Sequence, residues 1–168
     1  IRDLRADRDL RLAEVFDGRS DDLARADRGA RIVACSSFFP APNAPEGLLR
    51  DDADYAAAIE GPAPHWFVID FGGARRTGGV AAAFYDRANL TTGLRILGRG
   101  GRFGRWRELA RTQGGEGMVF TACWAPRMLR QLRVEAFAFK GQQRLLLRKL
   151  AVFEAKGRDE GETEGATT

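Results

Sequence analysis

Cysteine, histidine and lysine are scarce in this chain of 168 residues, which has two Cys, one His and three Lys. Two cysteines cannot form a disulfide-rich scaffold, and with a single histidine they leave too few soft ligands for a structural zinc site. Cys35 and Cys123 could pair if the fold brings them together, but we favour two free, buried thiols. His65 has no serine in a nucleophile-elbow context to act with, so we expect no hydrolytic triad and no enzyme activity.

Long apolar runs are also missing. No stretch approaches the roughly 20 apolar residues that span a bilayer, so no membrane helix is predicted. The chain begins with Ile1 and no signal-like pattern precedes its charged opening, from which we expect a module cut from a longer protein. Apolar residues nevertheless make up 44% of the chain, which excludes wholesale disorder and suffices for a hydrophobic core.

Arginine supplies nearly all of the positive charge. It accounts for 24 of the 27 basic side chains, and 23 acidic side chains leave a net charge of +4. Residues 29–155 hold 18 basic and 11 acidic side chains, whereas both ends of the chain carry an acidic excess. Because the arginines lie in or beside apolar runs and form no continuous stripe, we predict an acidic glycan or an anionic surface as partner and no nucleic acid.

Composition divides the chain into three parts. Residues 1–28 combine many charges of both signs with few apolar positions, and we predict an amphipathic helix from Arg2 to Phe16 that acts as a linker or a homo-oligomerisation segment. Residues 29–155 contain short apolar runs separated by Gly, Pro, Asn and Asp. Residues 156–168 are rich in Gly, Glu and Thr and are predicted to be a disordered acidic tail.

The apolar runs in residues 29–155 have the length and spacing of β-strands. Several alternate at period two, as Leu132, Val134 and Ala136 do, and no long helical stretch lies between them. The fold is therefore predicted to be all-β, an antiparallel β-sandwich of the jelly-roll type with seven or eight strands and a short N-terminal helical segment. The predicted strands are residues 31–35, 66–71, 79–85, 93–97, 117–124, 129–139 and 143–153.

One of these runs, HWFVIDFG at residues 65–72, resembles the "Q-W-hydrophobic-x-hydrophobic-D-L-G" strand of discoidin, or coagulation-factor type C, domains. Family 32 carbohydrate-binding modules share that strand and the galactose-binding-domain-like jelly roll. Other segments resemble the family in the same order along the chain: ACSS at 34–37, LRDD at 49–52, TGGV at 77–80, GLRILG at 93–98, Trp106, RQLRV at 130–134 and the run at 147–153.

The resemblance implies a non-catalytic module that recognises cell-surface or capsular glycans through loops at one end of the sandwich. It further implies that the module is part of a larger or multimeric protein, which is extracellular, on a cell surface or associated with a virion. Sugar sites combine an aromatic platform with planar side chains that hydrogen-bond to hydroxyls. Segment 84–89 has this composition, and because the corresponding family loop often supplies an Arg, Arg87 is the first candidate. Loops 38–43, 51–55 and 103–106 are expected at the same end, so the further candidates are Tyr85, Asp86, Asn89, Tyr55, Phe39 and Arg105.

A structural calcium ion is a second implication of the resemblance. Asp51, Asp52 and Asp54 could supply some of the oxygen ligands that calcium prefers. Lys149, however, stands where the family often carries a Glu, and its charge would oppose a cation. We expect the other conspicuous charged residues to be structural: Asp70 as a ligand for turn amides, and Arg130 with Arg133 as side chains that tie strands together.

Two alternatives to glycan binding remain open. Phe38 and Phe39, with Arg99, Arg102 and Arg105 nearby, could insert into an anionic membrane as apolar spikes with a basic rim. Alternatively, the domain could be a structural adaptor or protein-interaction module that assembles through residues 1–28. The glycine-rich segment 98–105 lacks the Lys-Ser/Thr of a phosphate-binding loop and is interpreted as a loop between strands.

Overall fold

The computed structural model describes residue 16 and residues 21–50, 54–58, 61–85, 87–88, 90–115 and 117–155. Within these residues the chain forms two short 3₁₀ helices, Ala26–Arg28 and Pro45–Leu49, and seven β-strands. The strands are β1 (Arg31–Cys35), β2 (Ala56–Ala58), β3 (His65–Phe84), β4 (Thr91–Arg99), β5 (Arg107–Thr112), β6 (Val119–Phe139) and β7 (Leu145–Glu154).

All strand pairs are antiparallel, in the order β2-β7-β3-β6-β4-β5, with β1 paired to the first half of β3. β3 and β6 are the long central strands, paired from His65 opposite Ala136 to Ala83 opposite Val119. Each of them joins two runs that the sequence pattern predicts as separate strands. The all-β, antiparallel prediction is confirmed.

β3 folds back on itself, so that its two ends lie close together. The ring Nε2 of His65 is 2.9 Å from the carbonyl oxygen of Gln143, while the N–H of Tyr85, just beyond the other end of β3, donates to the carbonyl of Leu146 at 3.0 Å. The bend coincides with breaks in the register with β6 between Asp70 and Arg75 and between Thr77 and Gly79. The two halves of β3, each paired with a half of β6, therefore belong to the two layers of a sandwich.

The fold has two ends, which differ in their side chains. The first, named the tyrosine end, carries Tyr55, Tyr85, the loops 61–64 and 140–144 and the described residues 113–115 and 117–118. The second, called the arginine end, carries the bends of β3 (70–78) and β6 (126–129) and the loop 100–106 between β4 and β5. The core fills the space between the layers and includes Phe67, Ile69, Leu132, Val134 and Val152, each 0% exposed.

Asp70 holds the arginine end together, as expected for a structural residue. Its side chain is 1% exposed; Oδ1 accepts the N–H of Gly72 at 2.8 Å, and Oδ2 accepts Nε2–H of Gln131 at 2.8 Å and Nε–H of Arg130 at 3.3 Å. Burial alone would raise the pKa of Asp70, but the hydrogen bonds from Gln131, Gly72 and Arg130 outweigh it and hold the pKa below its ordinary value. Arg133 is likewise structural, since it donates to Glu135 at 3.0 Å and lies 4.2 Å over the ring of Trp66.

The last residues of the charged N-terminal part pack against the sandwich. Oδ1 of Asp22 accepts the N–H groups of Ala24 and Val152, both at 2.9 Å, and Leu23 and Ala24 belong to the core. Of the helix predicted over residues 2–16, only Phe16 is described, in helical conformation, and the predicted acidic tail lies outside the described residues. Within the described part of the chain, no helical segment has the length and apolar character needed to cross a membrane.

Both cysteines are free, as predicted, but the prediction that they are buried is wrong: each is exposed. Cys35 ends β1, which pairs with β3 alone, and Cys123 lies on the outward side of β6, between the half-buried Ala122 and Trp124. The period-two pattern of these runs identifies strands but does not say which of their two faces is turned outward.

The surroundings of Cys35 should slow its reactions as a nucleophile. Partial burial, and then the negative charge of Glu46, raise the pKa of the Cys35 thiol, so less of it is thiolate at a given pH. In a Cys123→Ser background at mildly alkaline pH, we expect Cys35 to react faster with an aromatic disulfide reagent once Glu46→Gln removes the neighbouring charge. An unchanged rate after Glu46→Gln would contradict the expectation.

Candidate functional site

Tyr55 and Tyr85 meet at the tyrosine end, although they are 30 positions apart in the chain. Their ring centroids are 4.4 Å apart and the ring planes are inclined by 43°. β7 brings them together, because Leu147 pairs with Ala56 on one side and with Phe84 on the other. The residues next to these partners, Tyr55 and Tyr85, are therefore held on either side of the same point of β7.

Hydrogen bonds hold the segment that follows β1 close to this pair. The side-chain amide of Asn43 donates to the carbonyl of Tyr55 at 3.0 Å, and the carbonyl of Asn43 accepts the N–H of Ala57 at 2.9 Å. The N–H of Phe39 donates to the carbonyl of Ala57, also at 2.9 Å. Phe39, one of the predicted site residues, is thus near Tyr55 and half-buried. Asn43 was not predicted, and nothing in the local sequence pattern distinguishes it from other loop polar residues.

The exposed residues at this end include an aromatic ring and a guanidinium. Tyr85 is 41% exposed, Tyr55 is half-buried, and Arg87 is exposed two residues after Tyr85. An exposed tyrosine ring can stack on the apolar face of a pyranose, and a guanidinium fork can bond to hydroxyl or carboxylate oxygens. The other two candidates in this segment, Asp86 and Asn89, lie outside the described residues.

The described residues 113–115 and 117–118, between β5 and β6, also reach the tyrosine end, and this connection was not among the predicted site loops. The N–H of Gly115 donates to the carbonyl of Thr92 at 3.0 Å, and the carbonyl of Met118 accepts the N–H of Phe84 at 2.9 Å. The glycine pair at 114–115 predicts a turn, but its position beside Tyr85 depends on the pairing of β3 with β6.

Arg105 does not belong to this site. β4 begins at Thr91 near the tyrosine end, where the N–H of Lys140 donates to the carbonyl of Leu90 at 2.9 Å, and ends at Arg99. At about 3.3 Å per residue, the strand carries the chain some 25 Å away. The expectation that loop 103–106 lies with the other candidate loops is therefore wrong: this loop, with Arg105, is at the arginine end.

The phenylalanines that the membrane alternative uses are not exposed spikes. Phe38 packs against the core, with its ring edge-on to Phe67 at a centroid distance of 5.9 Å, and Phe39 is half-buried. A side chain already buried by the protein gains little by entering a bilayer. The structure therefore does not provide the two exposed phenylalanines that the membrane-binding alternative requires.

His65 is a structural residue that anchors the tyrosine end. Its side chain is 1% exposed, its ring lies edge-on to Phe139 at a centroid distance of 5.8 Å, and its Nε2 contacts the Gln143 carbonyl. These contacts tie the start of β3 to the loop 140–144, which precedes β7.

The calcium site stays a prediction. Asp51 and Asp52 lie outside the described residues, and Asp54 is exposed. In the part of the chain that the structure describes, no three His, Cys, Asp or Glu side chains come close enough to hold a metal ion.

Comparison with solved structures shows that this antiparallel sandwich has the jelly-roll fold of family 32 carbohydrate-binding modules, which confirms the fold that the resemblance implies. No protein-family model matches the chain, and no curated protein sequence is significantly similar to it. Solved structures do match it over most of its length.

Among them is chitosan-binding module 2 of a chitosanase/glucanase from Paenibacillus sp. IK-5, in complex with chitotriose: 20% identity, TM-score 0.65, covering 79% of this chain and 99% of that one. The family 32 carbohydrate-binding module of EndoD from Streptococcus pneumoniae is 13% identical, with a TM-score of 0.64 and coverage of 80% and 99%. The family 32 module of AlyQ, in complex with 4,5-unsaturated mannuronic acid, is 21% identical, with a TM-score of 0.60 and coverage of 74% and 97%. At identities of 13% to 21%, the similarity to these structures shows the fold alone.

Proposed function

We propose that this domain is a non-catalytic carbohydrate-binding module that takes glycans at its tyrosine end. The observation that carries the proposal is the contact of Tyr55 with the exposed Tyr85, 4.4 Å apart between ring centroids, with Arg87 two residues further on. Such a site can stack a sugar ring on tyrosine while the guanidinium binds its oxygens. The similar modules that carry chitotriose or an unsaturated mannuronic acid support glycan as the ligand class.

The proposal extends to the setting of the domain. A shallow site built on one or two rings binds a single sugar weakly, so useful affinity requires several copies that act together. We propose that the module works as part of a larger or multimeric extracellular or cell-surface protein that displays it toward cell-surface or capsular glycans. Asp86, Asn89 and Phe39 are proposed to complete the site around Tyr85 and Arg87.

A glycan array probed with the full chain immobilised in many copies on fluorescent beads tests the function. We expect binding to a defined set of glycans, and at least about a tenfold loss of apparent affinity in Tyr85→Ala because the exposed ring surface is removed. Tyr85→Phe should retain most of the binding, since it keeps the ring. Arg87→Ala should lose about tenfold as well, because a charge-assisted hydrogen bond to the sugar is lost.

Arg31→Ala is the matched control for Arg87→Ala. Arg31 is an exposed arginine at the start of β1, and its backbone pairs with Asp70 at the arginine end. The Arg31 variant should bind the same glycans with unchanged affinity. Absence of any glycan signal from the multivalent wild-type beads would overturn the proposal, and equal losses in Arg31→Ala and Arg87→Ala would overturn the site.

A further inference from the structure

A concave surface lies at the arginine end, far from the tyrosine end. It is a depression of about 460 Å³ between the loop that follows β4 and the bend of β6. Its volume falls within the range of roughly 300–1,000 Å³ that is usual for small-ligand sites. Its walls are the backbone of three glycines and the side chains of Arg99, Arg105, Arg107, Arg127, Met128 and Leu129.

Arg99 is held in place by a chain of hydrogen bonds that starts at the buried Asp70. Gln131 donates from Nε2 to Asp70 and accepts, through Oε1, the Nε–H of Arg99 at 2.8 Å. The guanidinium of Arg99 also lies 4.2 Å from the centroid of the Trp106 ring. One guanidinium of the depression is therefore preorganised, which reduces the entropy lost when it binds an anion.

No ion pair within the described residues neutralises the arginines of the depression. Arg105, Arg107 and Arg127 are exposed, and none forms an ion pair with a carboxylate of the described residues. Glu108, next to Arg107 in the chain, is engaged instead by Arg111 at 2.9 Å and by Arg95 at 3.8 Å. Four arginines that line one depression without an ion pair to any carboxylate in the described part of the chain favour a ligand that brings its own negative groups.

The loop beside the depression presents an aromatic ring to solvent. Phe103 is 98% exposed, in the loop between Arg99 and Arg107 and flanked by Arg102, and Met128 on the facing bend is 56% exposed. A bare phenylalanine at this position provides a stacking surface next to the cations. A concave depression lined by arginines beside one aromatic ring fits the separate, charged sugar rings of a ligand. It fits a flat membrane surface less well, because only one apolar side chain, Phe103, would insert into the bilayer.

We propose that the arginine end is a second ligand site, which binds an acidic polysaccharide through its carboxylate or sulfate groups. Arg105, Arg107 and Arg127 bind the anionic groups, Arg99 contributes a fixed guanidinium, and Phe103 stacks on a neighbouring sugar ring. This site is independent of the proposed function of the tyrosine end.

Affinity gel electrophoresis of the full chain tests the inference, with polygalacturonate as the carboxylate probe, dextran sulfate as the sulfate probe and dextran as the neutral chain. We expect retardation by one or both acidic chains and none by dextran, and which of them binds identifies the anionic group. The double variant Arg105→Ala/Arg127→Ala should weaken that binding at least about tenfold. Phe103→Ala should weaken it several-fold while leaving retardation by inorganic polyphosphate unchanged, because polyphosphate offers no ring to stack on.

The charge-matched control is Arg50→Ala/Arg148→Ala, which removes two arginines that do not line the depression. This control should change the affinity for the acidic polysaccharide by less than about twofold. An equal loss of affinity in both double variants would mean that binding depends only on net charge, and this would overturn the site. Absence of retardation by both acidic chains overturns it too, as does Phe103-dependent binding to phosphatidylserine vesicles in place of the polysaccharides. If Tyr85→Ala abolishes acidic-chain binding and the arginine double variant retains it, this inference fails while the proposed function stands.

Discussion

Replacement of Asp70 by Asn should lower the free energy of unfolding by about 3 kcal/mol, because it removes the charged acceptor of a buried set of hydrogen bonds. The carboxylate is 1% exposed and accepts from Gly72, Gln131 and Arg130. An Asn amide that keeps the bond from Gly72 places its own N–H donors where Oδ2 was, against the donors of both Gln131 and Arg130, and the charge of Arg130 loses its partner. Urea denaturation near neutral pH measures the loss.

The loss should depend on pH in a direction set by the lowered pKa of Asp70. A carboxyl whose pKa is lower in the folded than in the unfolded state stabilises the fold fully above its unfolded pKa of about 4, and the contribution disappears as the pH falls toward the folded value. The wild-type chain should therefore lose stability on acidification below about pH 4, and the gap to Asp70→Asn should shrink over that range.

An exposed ion pair of the same fold provides the control. Glu154 pairs with Arg28 at 3.1 Å, with side chains 44% and 35% exposed. Glu154→Gln should cost less than about 1 kcal/mol, because solvent screens exposed pairs. If Asp70→Asn costs no more than this control, or its cost does not change with pH, the assigned role of Asp70 is wrong.

Replacement of Gly79 by Ala should cost about 2 kcal/mol, because a methyl group does not fit where β3 resumes after its bend. A Cβ at this position would lie 2.9 Å from the carbonyl oxygen of Ala122, and 3.5 Å from both Cys123 and Phe153. The nearest of these atoms belongs to the backbone of β6, so the strand itself has to move. Urea denaturation again measures the effect, as a lower midpoint with an unchanged slope.

Gly73→Ala is the matched control, in the same strand. Nothing lies within 4 Å of a Cβ at this position, and Gly73 has no positive φ. The added methyl group should be neutral or stabilise the fold by up to about 1 kcal/mol, through the reduced freedom of the unfolded chain. Equal destabilisation by both substitutions would contradict the steric explanation and indicate a general cost of losing glycine in β3.

Local sequence pattern predicts the strands that have strong periodicity and misses those that have little. β1 matches its predicted residues, 31–35, and β4 and β7 contain most of theirs. β2 is three alanines, too short to show a period, and β5 reads RELART, an edge strand with no apolar run. The sequence prediction divides β3 and β6 into two strands each, because glycines interrupt the apolar pattern of β3 and a proline interrupts that of β6. The backbone bends at these places, but the pairing between the two strands resumes beyond each bend.

The candidate site, like the fold, could be predicted only in part from the sequence. Tyr55 and Tyr85 were recognisable as aromatic residues in loops, but their contact depends on the shared pairing with Leu147 of β7. The sequence analysis places Arg105 with these tyrosines, because neither the composition nor the family order of the segments shows at which end of β4 a loop lies. Its true neighbours, such as Arg127, are distant in sequence and come together only where β6 bends.

The sequence by itself determined the all-β class, the jelly-roll resemblance, the surplus of arginine and the short list of aromatic candidates, because these depend on residue type and on spacing within one strand. Only the tertiary structure decided that the two tyrosines form a pair at one end and that Arg99, Arg105, Arg107 and Arg127 line one depression at the other, beside the loop that carries Phe103. The physical reason is that non-local strand pairing sets which loops meet, and its register is a property of the folded sheets as a whole.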